Sequence, residues 1–140
     1  MKIQFMIPGD PVPKARARKS PAGFVYKDKK TERFENLVRL AYSQAFPDRI
    51  PSKAPISLSI ISGFSVPESW SKKKKILAIC ERIFKISRPD LDNLIKSVSD
   101  GLNGVAWKDD RQIYELYARK VYAEVPKTNV TIEFIEEDPE

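Results

Sequence analysis

Between Pro89 and Gly104 the chain has room for one helix and little freedom in where to place its ends. A proline restricts the residue before it to extended backbone, so no helix passes smoothly through Arg88. The spacing predicts a helix starting near Asp90 or Asp92 and running to about Leu102 or Asn103. Gly104 is suited to the left-handed conformation that stops helices. At about 100° per residue, Leu91, Leu94, Ile95, Val98 and Leu102 share one face. Asp92, Lys96 and Asp100 share the opposite face at i, i+4 and i+8, with Asn93 beside them. Such a helix packs into a core on one side and presents ordered charge on the other.

The other elements must supply that core. Ile3, Phe5 and Ile7 alternate over residues 2–7 and predict a first strand, ended by three prolines within residues 8–13. Phe24-Val25-Tyr26 reads as a short strand after a turn at Pro21 and Gly23. Phe34, Leu37, Val38, Ala41 and Ala45 give a helical stripe over 31–46, with Thr31 as cap and Pro47 as terminator. This second amphipathic helix shows core residues and no chemistry. Ile56, Leu58 and Ile60 alternate with serines, predicting a strand to about Phe64. Ser69 then caps a helix holding Trp70 and the apolar string Ile76 to Cys80. Residues 113–124 have strand composition, and Val130, Ile132 and Phe134 alternate after Pro126. The acidic tail from Glu136 to Glu140 is expected to fray. Five short strands with hairpin-like neighbours at the end, interleaved with about three helices, predict a single compact α+β domain over residues 1–140 with a mixed sheet.

Several function classes are excluded by what the chain lacks. No apolar run is long enough to span a bilayer, and the N-terminus has no signal-peptide core, so a cytoplasmic location is expected and no membrane partner. Cys80 is the single cysteine, which rules out an intrachain disulfide and reads as a core thiol. There is no histidine at all. That removes imidazole ligands, the usual general base, and His-assisted serine or cysteine nucleophiles. Catalysis would have to rest on carboxylates, lysine, hydroxyls or a metal.

The net charge of +6 hides an asymmetry. Residues 1–90 carry 19 Lys and Arg against 8 Asp and Glu, whereas residues 91–140 carry 6 against 11. A strongly basic segment of that size points to nucleic acid or another polyanion. Lys14, Arg16 and Arg18 alternate, so an extended backbone would turn all three to one side, with Lys19 adding to the comb. Lys72 to Lys75 surround a helical turn with positive charge, which serves solubility as readily as binding.

Set beside this basic segment, residues 88–113 hold five of the chain's 19 acidic residues: Asp90, Asp92, Asp100, Asp109 and Asp110. Within a regular helix Asp90 and Asp92 would diverge by about 200°. At an extended-to-helical junction both can face one point, and Gly101 and Gly104 let the chain return with Asp109-Asp110. A hard cation such as Mg²⁺ takes carboxylate, water and phosphate oxygens. Each acid also has a plain structural explanation. An aspartate at a helix start is usually a cap, Asp-Asp is usually a turn, and Asp92–Lys96 fits a surface pair. Together, next to a polyanion-binding surface, they suggest metal-dependent phosphodiester chemistry.

The run Arg88-Pro89-Asp90-Leu91-Asp92-Asn93-Leu94-Ile95-Lys96, followed by Asp100-Gly101-Leu102-Asn103 and Asp109-Asp110-Arg111-Gln112-Ile113, resembles the RusA family of Holliday junction resolvases. Both halves of the family pattern are present at the right separation. Pro11 to Arg16 and Ser69 to Lys74 are also similar to family members. The resemblance implies a homodimeric, Mg²⁺-dependent endonuclease (Mn²⁺ substituting) that binds four-way DNA junctions and nicks two strands symmetrically, without an organic cofactor. It implies Asp90, Asp92 and Asp110 as metal ligands and Lys96 as the catalytic lysine, with Asn93, Asp100, Asp109 and Gln112 supporting. Lys14, Arg16, Arg18, Lys85 and Arg88 are the candidates for phosphate contacts. Three other readings stay open on the residues alone. One is a DNA-binding accessory protein whose aspartates are caps; the second is a nuclease for flaps or other branched nucleic acids; the third is an interaction module with no nucleic-acid partner.

Overall fold

The computed structural model describes residues 1–136. Four strands form a mixed sheet: β1 (Lys2–Pro8), β4 (Ile56–Ser65), β5 (Ile113–Ala123) and β6 (Lys127–Phe134), in the order β1-β6-β4-β5. β6 runs antiparallel to both β1 and β4, and β4 pairs parallel with β5. A separate two-residue ribbon joins β2 (Arg18–Lys19) to β3 (Val25–Tyr26). One sheet face is apolar at every second residue, through Phe5 and Ile7, Ile56, Leu58 and Ile60, and Val130, Ile132 and Phe134. It is covered by Phe34, Val38 and Tyr42 of α1 (Lys29–Ala45) and by Val98 and Leu102 of α3 (Leu91–Leu102). The α+β class and mixed sheet expected from the strand and helix periods are both present.

A parallel pair needs a crossover, since no tight turn can join strands that point the same way. Here the crossover is residues 66–112, and it carries α2 (Lys72–Ile79), α3 and a single 3₁₀ turn (Asp110–Gln112). All five acids of interest lie on it. α3 begins and ends where proline and glycine require, with Asp90 at its N-cap, Asn103 at its C-cap and Gly104 at φ 79°. It approaches α1 closely at Gly101: a Cβ there would lie 2.9 Å from Val38 Cβ and 3.2 Å from the Glu35 carbonyl oxygen. Any larger residue would push the helices apart.

Some expectations fail, for local reasons. β5 and β6 are not a hairpin pair; they flank β4, and the link between them crosses the end of that strand. Gly63 marks the crossing, where a Cβ would meet Ala123 Cβ and the Lys127 carbonyl oxygen, each at 3.1 Å. α1 starts earlier than its apolar stripe, because Asp28 rather than Thr31 caps it, accepting from the Thr31 N–H at 3.2 Å. Thr31 is instead buried, and its hydroxyl oxygen accepts the Ala15 N–H at 3.1 Å. α2 is capped by Ser71, not Ser69, so Trp70 lies before the helix and stacks edge-on against Tyr122. Only Ala78 of α2 is buried; Ile76 and Leu77 face outward, and Cys80 is an exposed thiol rather than a core one. The apolar half of α2, Ile76 to Ile79, follows four lysines, and the helix meets the rest of the protein through little more than Ala78. The tail beyond Glu136 lies outside the described residues.

Candidate active site

Asp90 occupies the N-cap of α3 with extended backbone, yet its side chain makes no capping hydrogen bond. An N-cap aspartate ordinarily accepts from an amide two or three residues on, satisfying one of the helix's orphan donors. Asp109 does so nineteen residues later. It accepts from the Arg111 N–H at 2.9 Å, while Gln112 Oε1 accepts the Asp109 N–H at 2.8 Å, closing a capping box. Gln112 also donates to the carbonyls of Ser52 and Ala54, both at 2.9 Å, binding the 3₁₀ turn to the chain that leads into β4. Asp109 and Gln112 are thus occupied by the fold, and Asp90 is not.

Asp92 is exposed in the first turn and accepts only the N–H of its neighbour Asn93, at 3.0 Å. Lys96 is exposed one turn later, and no ion pair joins it to Asp92 among the described residues. The surface-pair explanation of that spacing is therefore not realised. Asp100, two turns from Asp92 on the same face, meets Lys14 Nζ at 2.9 Å.

Asp110 is the acid most shaped by its surroundings. Burial raises its proton affinity, and the negative charges of Asp100 and Asp109 raise it further, against a hydrogen bond from Trp107 Nε1 at 2.8 Å that lowers it. Trp107 is fully buried, and its segment is locked by backbone bonds between Ser52 and both Ala106 and Lys108. It therefore fixes one carboxylate oxygen of Asp110 and leaves the other open. This orienting tryptophan was missed by the sequence reading; the only available signal was a large apolar residue three positions before the acid, inside a polar turn.

The basic residues divide in the same way. Lys14 Nζ lies between Glu35 (3.0 Å) and Asp100 (2.9 Å), and its pKa is raised: burial opposes the charge, but hydrogen bonds to both acids outweigh it. Lys27 holds the other Glu35 oxygen at 3.0 Å, so α1 does carry an ionised group despite reading as pure core. Arg18 Nε is bound to Asp28 at 2.7 Å. Lys85 lies over the rings of Phe64 and Tyr122 and donates to Ser87 Oγ at 2.6 Å; burial lowers its pKa, with Lys120 contributing. Arg16 and Arg88 remain exposed, with no ion pair among the described residues. Only those two of the five candidate phosphate contacts point an unengaged charge outward.

An open cleft runs beside the start of α3, lined by Pro11, Pro13, Lys14, Lys30, Arg88, Asp90 and Asn93. The N-terminal strap forms its other wall and is tied to the helix: the Lys14 N–H donates to the Asn93 carbonyl at 2.8 Å, and Ser97 Oγ donates to the Val12 carbonyl at 2.6 Å. Lys14 is already paired to Glu35 and Asp100, which leaves Lys30 and Arg88 as the cleft cations without an ion pair among the described residues. Beside one uncommitted acid, that arrangement suits an anionic ligand. Asp100 and Asp110 are brought within electrostatic range of each other. Among the described residues, however, no three carboxylates are gathered into a ready-made cation cage.

Comparison with known proteins decides the family. The family model of endodeoxyribonuclease RusA matches residues 8–133, from the last residue of β1 to all but the last residue of β6. The chain belongs to the RusA family. It is also 36% identical over 139 residues to Uncharacterized protein YqaN of Bacillus subtilis (strain 168), covering 93% of this chain and 94% of that one. The matched span includes both the capped turn at Asp109 and the uncapped start of α3. No helix of the described residues is long and apolar enough to cross a membrane.

Proposed function

We propose that this RusA-family chain is a divalent-metal-dependent endonuclease that acts as a homodimer and resolves four-way DNA junctions by paired nicks. The observation that carries the reading is the uncapped Asp90, an acid in a structural position that performs no structural task, at the mouth of a cation-lined cleft. Asp92 beside it is exposed, accepts only the N–H of its neighbour Asn93, and has no ion pair among the described residues. Asp110 is a partly desolvated carboxylate with negative neighbours, an environment that a cation would relieve. These all-oxygen donors suit Mg²⁺ or Mn²⁺, and Asp90, Asp92 and Asp110 are the residues that would hold it. When bound, such an ion polarises a phosphoryl oxygen and lowers the pKa of a coordinated water.

The chain's own groups do the rest. Lys96, exposed and unpaired one turn beyond Asp92, places positive charge where a leaving oxygen would develop its negative charge. Arg88 and Arg16 contact phosphates and position the strand, and Lys14 holds Asp100 in place. Edge strand β5 leaves Tyr114, Leu116 and Tyr117 exposed, which supports self-association through that edge. Two sites related by a dimer axis match the two-fold symmetry of a junction.

The test is cleavage of a labelled four-way junction and of a linear duplex of the same sequence, each in Mg²⁺ and in EDTA. Paired nicks confined to the junction and to Mg²⁺ are expected. Asp92→Asn should abolish them while junction binding is retained or tightened, because a negative charge facing phosphate is gone. Salt-sensitive binding without nicks in any divalent metal would make this a DNA-binding protein that does not cut, and equal cutting of the duplex would remove junction specificity.

A further inference from the structure

We propose that Lys120, on β5, is a positioning residue that clamps the loop between α2 and α3 and thereby sets the Asp90 carboxylate. Its ammonium donates to the Ser87 carbonyl at 2.8 Å and to the Pro89 carbonyl at 3.0 Å. These two carbonyls bracket Arg88, and the second belongs to the peptide that leads directly into Asp90. Neither lies in a helix or strand, so without Lys120 both would turn to water.

The clamp matters because little else locates this corner. The Asp90 side chain makes no capping bond, so the usual local restraint on a helix start is missing. The other end of the loop is fixed from the adjacent residue of the same strand, since Arg119 pairs with Glu81. Glu81 has φ 60°, and the Arg82 and Glu81 amides donate back to Leu77 and Ala78, closing the end of α2. Lys85 props the middle of the loop from below, through Phe64, Tyr122 and Ser87 Oγ. Two consecutive residues of one strand thus hold both ends of residues 81–89. β5 is itself registered against β4, with Lys120 opposite Ser62, so the position of Asp90 is inherited from the sheet. The same grip presents Arg88 outward between the two bound carbonyls. Lys120 accordingly acts through Asp90 and Arg88, although by charge alone it would be taken for a phosphate contact.

The metal-linked part of this inference rests on the proposed role of Asp90, and the test separates the two. Lys120→Met keeps the aliphatic stem and removes the donors; Lys120→Arg restores them. Mn²⁺ binding is measured by calorimetry on the full chain. Affinity should fall about tenfold in Lys120→Met, the scale expected when a partner of a metal ligand is lost, and return to within about threefold in Lys120→Arg. Junction binding in EDTA should change less than about twofold with an unaltered salt slope. Amide hydrogen exchange reads the clamp without any metal: the first hydrogen-bonded amides of α3, Asn93 and Leu94, which donate to Asp92 and to the Asp90 carbonyl, should exchange about tenfold faster in Lys120→Met while β4 and β6 do not. If the methionine variant is too unstable to purify, Lys120→Gln, with one donor group, gives an intermediate case. Unchanged exchange at Asn93 and Leu94 overturns the clamp. So does unchanged Mn²⁺ affinity together with weaker, less salt-dependent junction binding, which is the signature of a direct phosphate contact. If Asp90→Asn leaves Mn²⁺ binding intact, the metal role of Asp90 has failed, and the exchange result alone decides whether Lys120 is a clamp.

Discussion

Replacing Glu35 with glutamine removes one negative charge from a point where the fold has set two lysines against it. The Glu35 side chain is 2% exposed, with Lys14 at 3.0 Å on one oxygen and Lys27 at 3.0 Å on the other. Breaking a fully buried ion pair by removing one partner costs about 3–5 kcal/mol, because the remaining charge is stranded. Neither lysine is fully stranded here. Lys14 keeps Asp100 at 2.9 Å, and the Lys27 side chain is 45% exposed and turns to water. The loss then approaches that of charge-assisted hydrogen bonds replaced by weaker ones, roughly 2–3 kcal/mol. At an unfolding entropy of about 2.1 cal/mol/K per residue, a chain of 140 residues loses about 3–4 °C of Tm per kcal/mol, so Glu35→Gln should melt about 7–10 °C lower. Calorimetry at pH 7 reads this directly, with exposed Glu32→Gln as a control that should stay within about 0.5 kcal/mol. The raised pKa of Lys14 adds a pH signature. Its stabilisation is fully present below the unfolded value of 10.5 and is lost as pH rises through the higher folded value, so the two proteins should converge in strongly alkaline solution. A Glu35→Gln protein melting within 2 °C of the parent would refute the reasoning, since it would mean the cluster's attraction only balances its desolvation.

Asp110→Asn should abolish metal-dependent cleavage yet raise the melting temperature in EDTA at pH 7. Its carboxyl has a folded pKa above 3.8, so ionisation opposes folding at neutral pH, and the amide still accepts the Trp107 N–H. The gain should vanish below about pH 3, where the parent is protonated in both states; a variant less stable at pH 7 would overturn this. Asp28 works in the opposite sense. Its bond from Arg18, then that from the Thr31 amide, lowers its pKa, so its contribution is full above 3.8 and disappears as pH falls through the folded value. Asp28→Asn should therefore flatten the acid limb of a helicity-versus-pH titration, and an unaltered limb would remove Asp28 from the acid response.

The features legible in the sequence are those set by short-range chemistry. Pro89 and Gly104 located α3 because they act on their own backbone torsions, and the strand alternations held because burial repeats every two residues. Charge pairing was not legible, because partners lie far apart along the chain. Lys14 reaches Glu35 across 21 residues and Arg18 reaches Asp28 across 10, so two cations of the four-residue comb became internal ion pairs. Apolar composition misled at Cys80 because burial depends on where a helix lies, and α2 meets the sheet through little more than Ala78. The strands β5 and β6 were both foreseen, but nothing local to them says that a third strand separates them; only the close approach at Gly63 records it.

The same distinction sorts the acids, which is what bears on function. A carboxylate discharged against a lysine or a backbone amide stabilises the fold and has little left to offer a ligand. Asp28, Glu35, Asp100 and Asp109 are of that kind, each with a named internal donor. Asp90 has no side-chain partner and Asp92 only the amide of its neighbour Asn93, neither has an ion pair among the described residues, and Asp110 keeps one oxygen unclaimed in a site that disfavours its charge. Asp90 and Asp92 are exposed and free for a ligand, and only Asp110 carries its charge at a cost from burial. The cation-lined cleft beside them is the counterpart: Lys30 and Arg88 line a surface where a phosphate can approach the very acids that would otherwise repel it. Repulsion of that kind is removed only by a positive charge placed between phosphate and carboxylate, which is why metal dependence, rather than DNA binding, is the property on which the assignment of Asp90, Asp92 and Asp110 stands or falls.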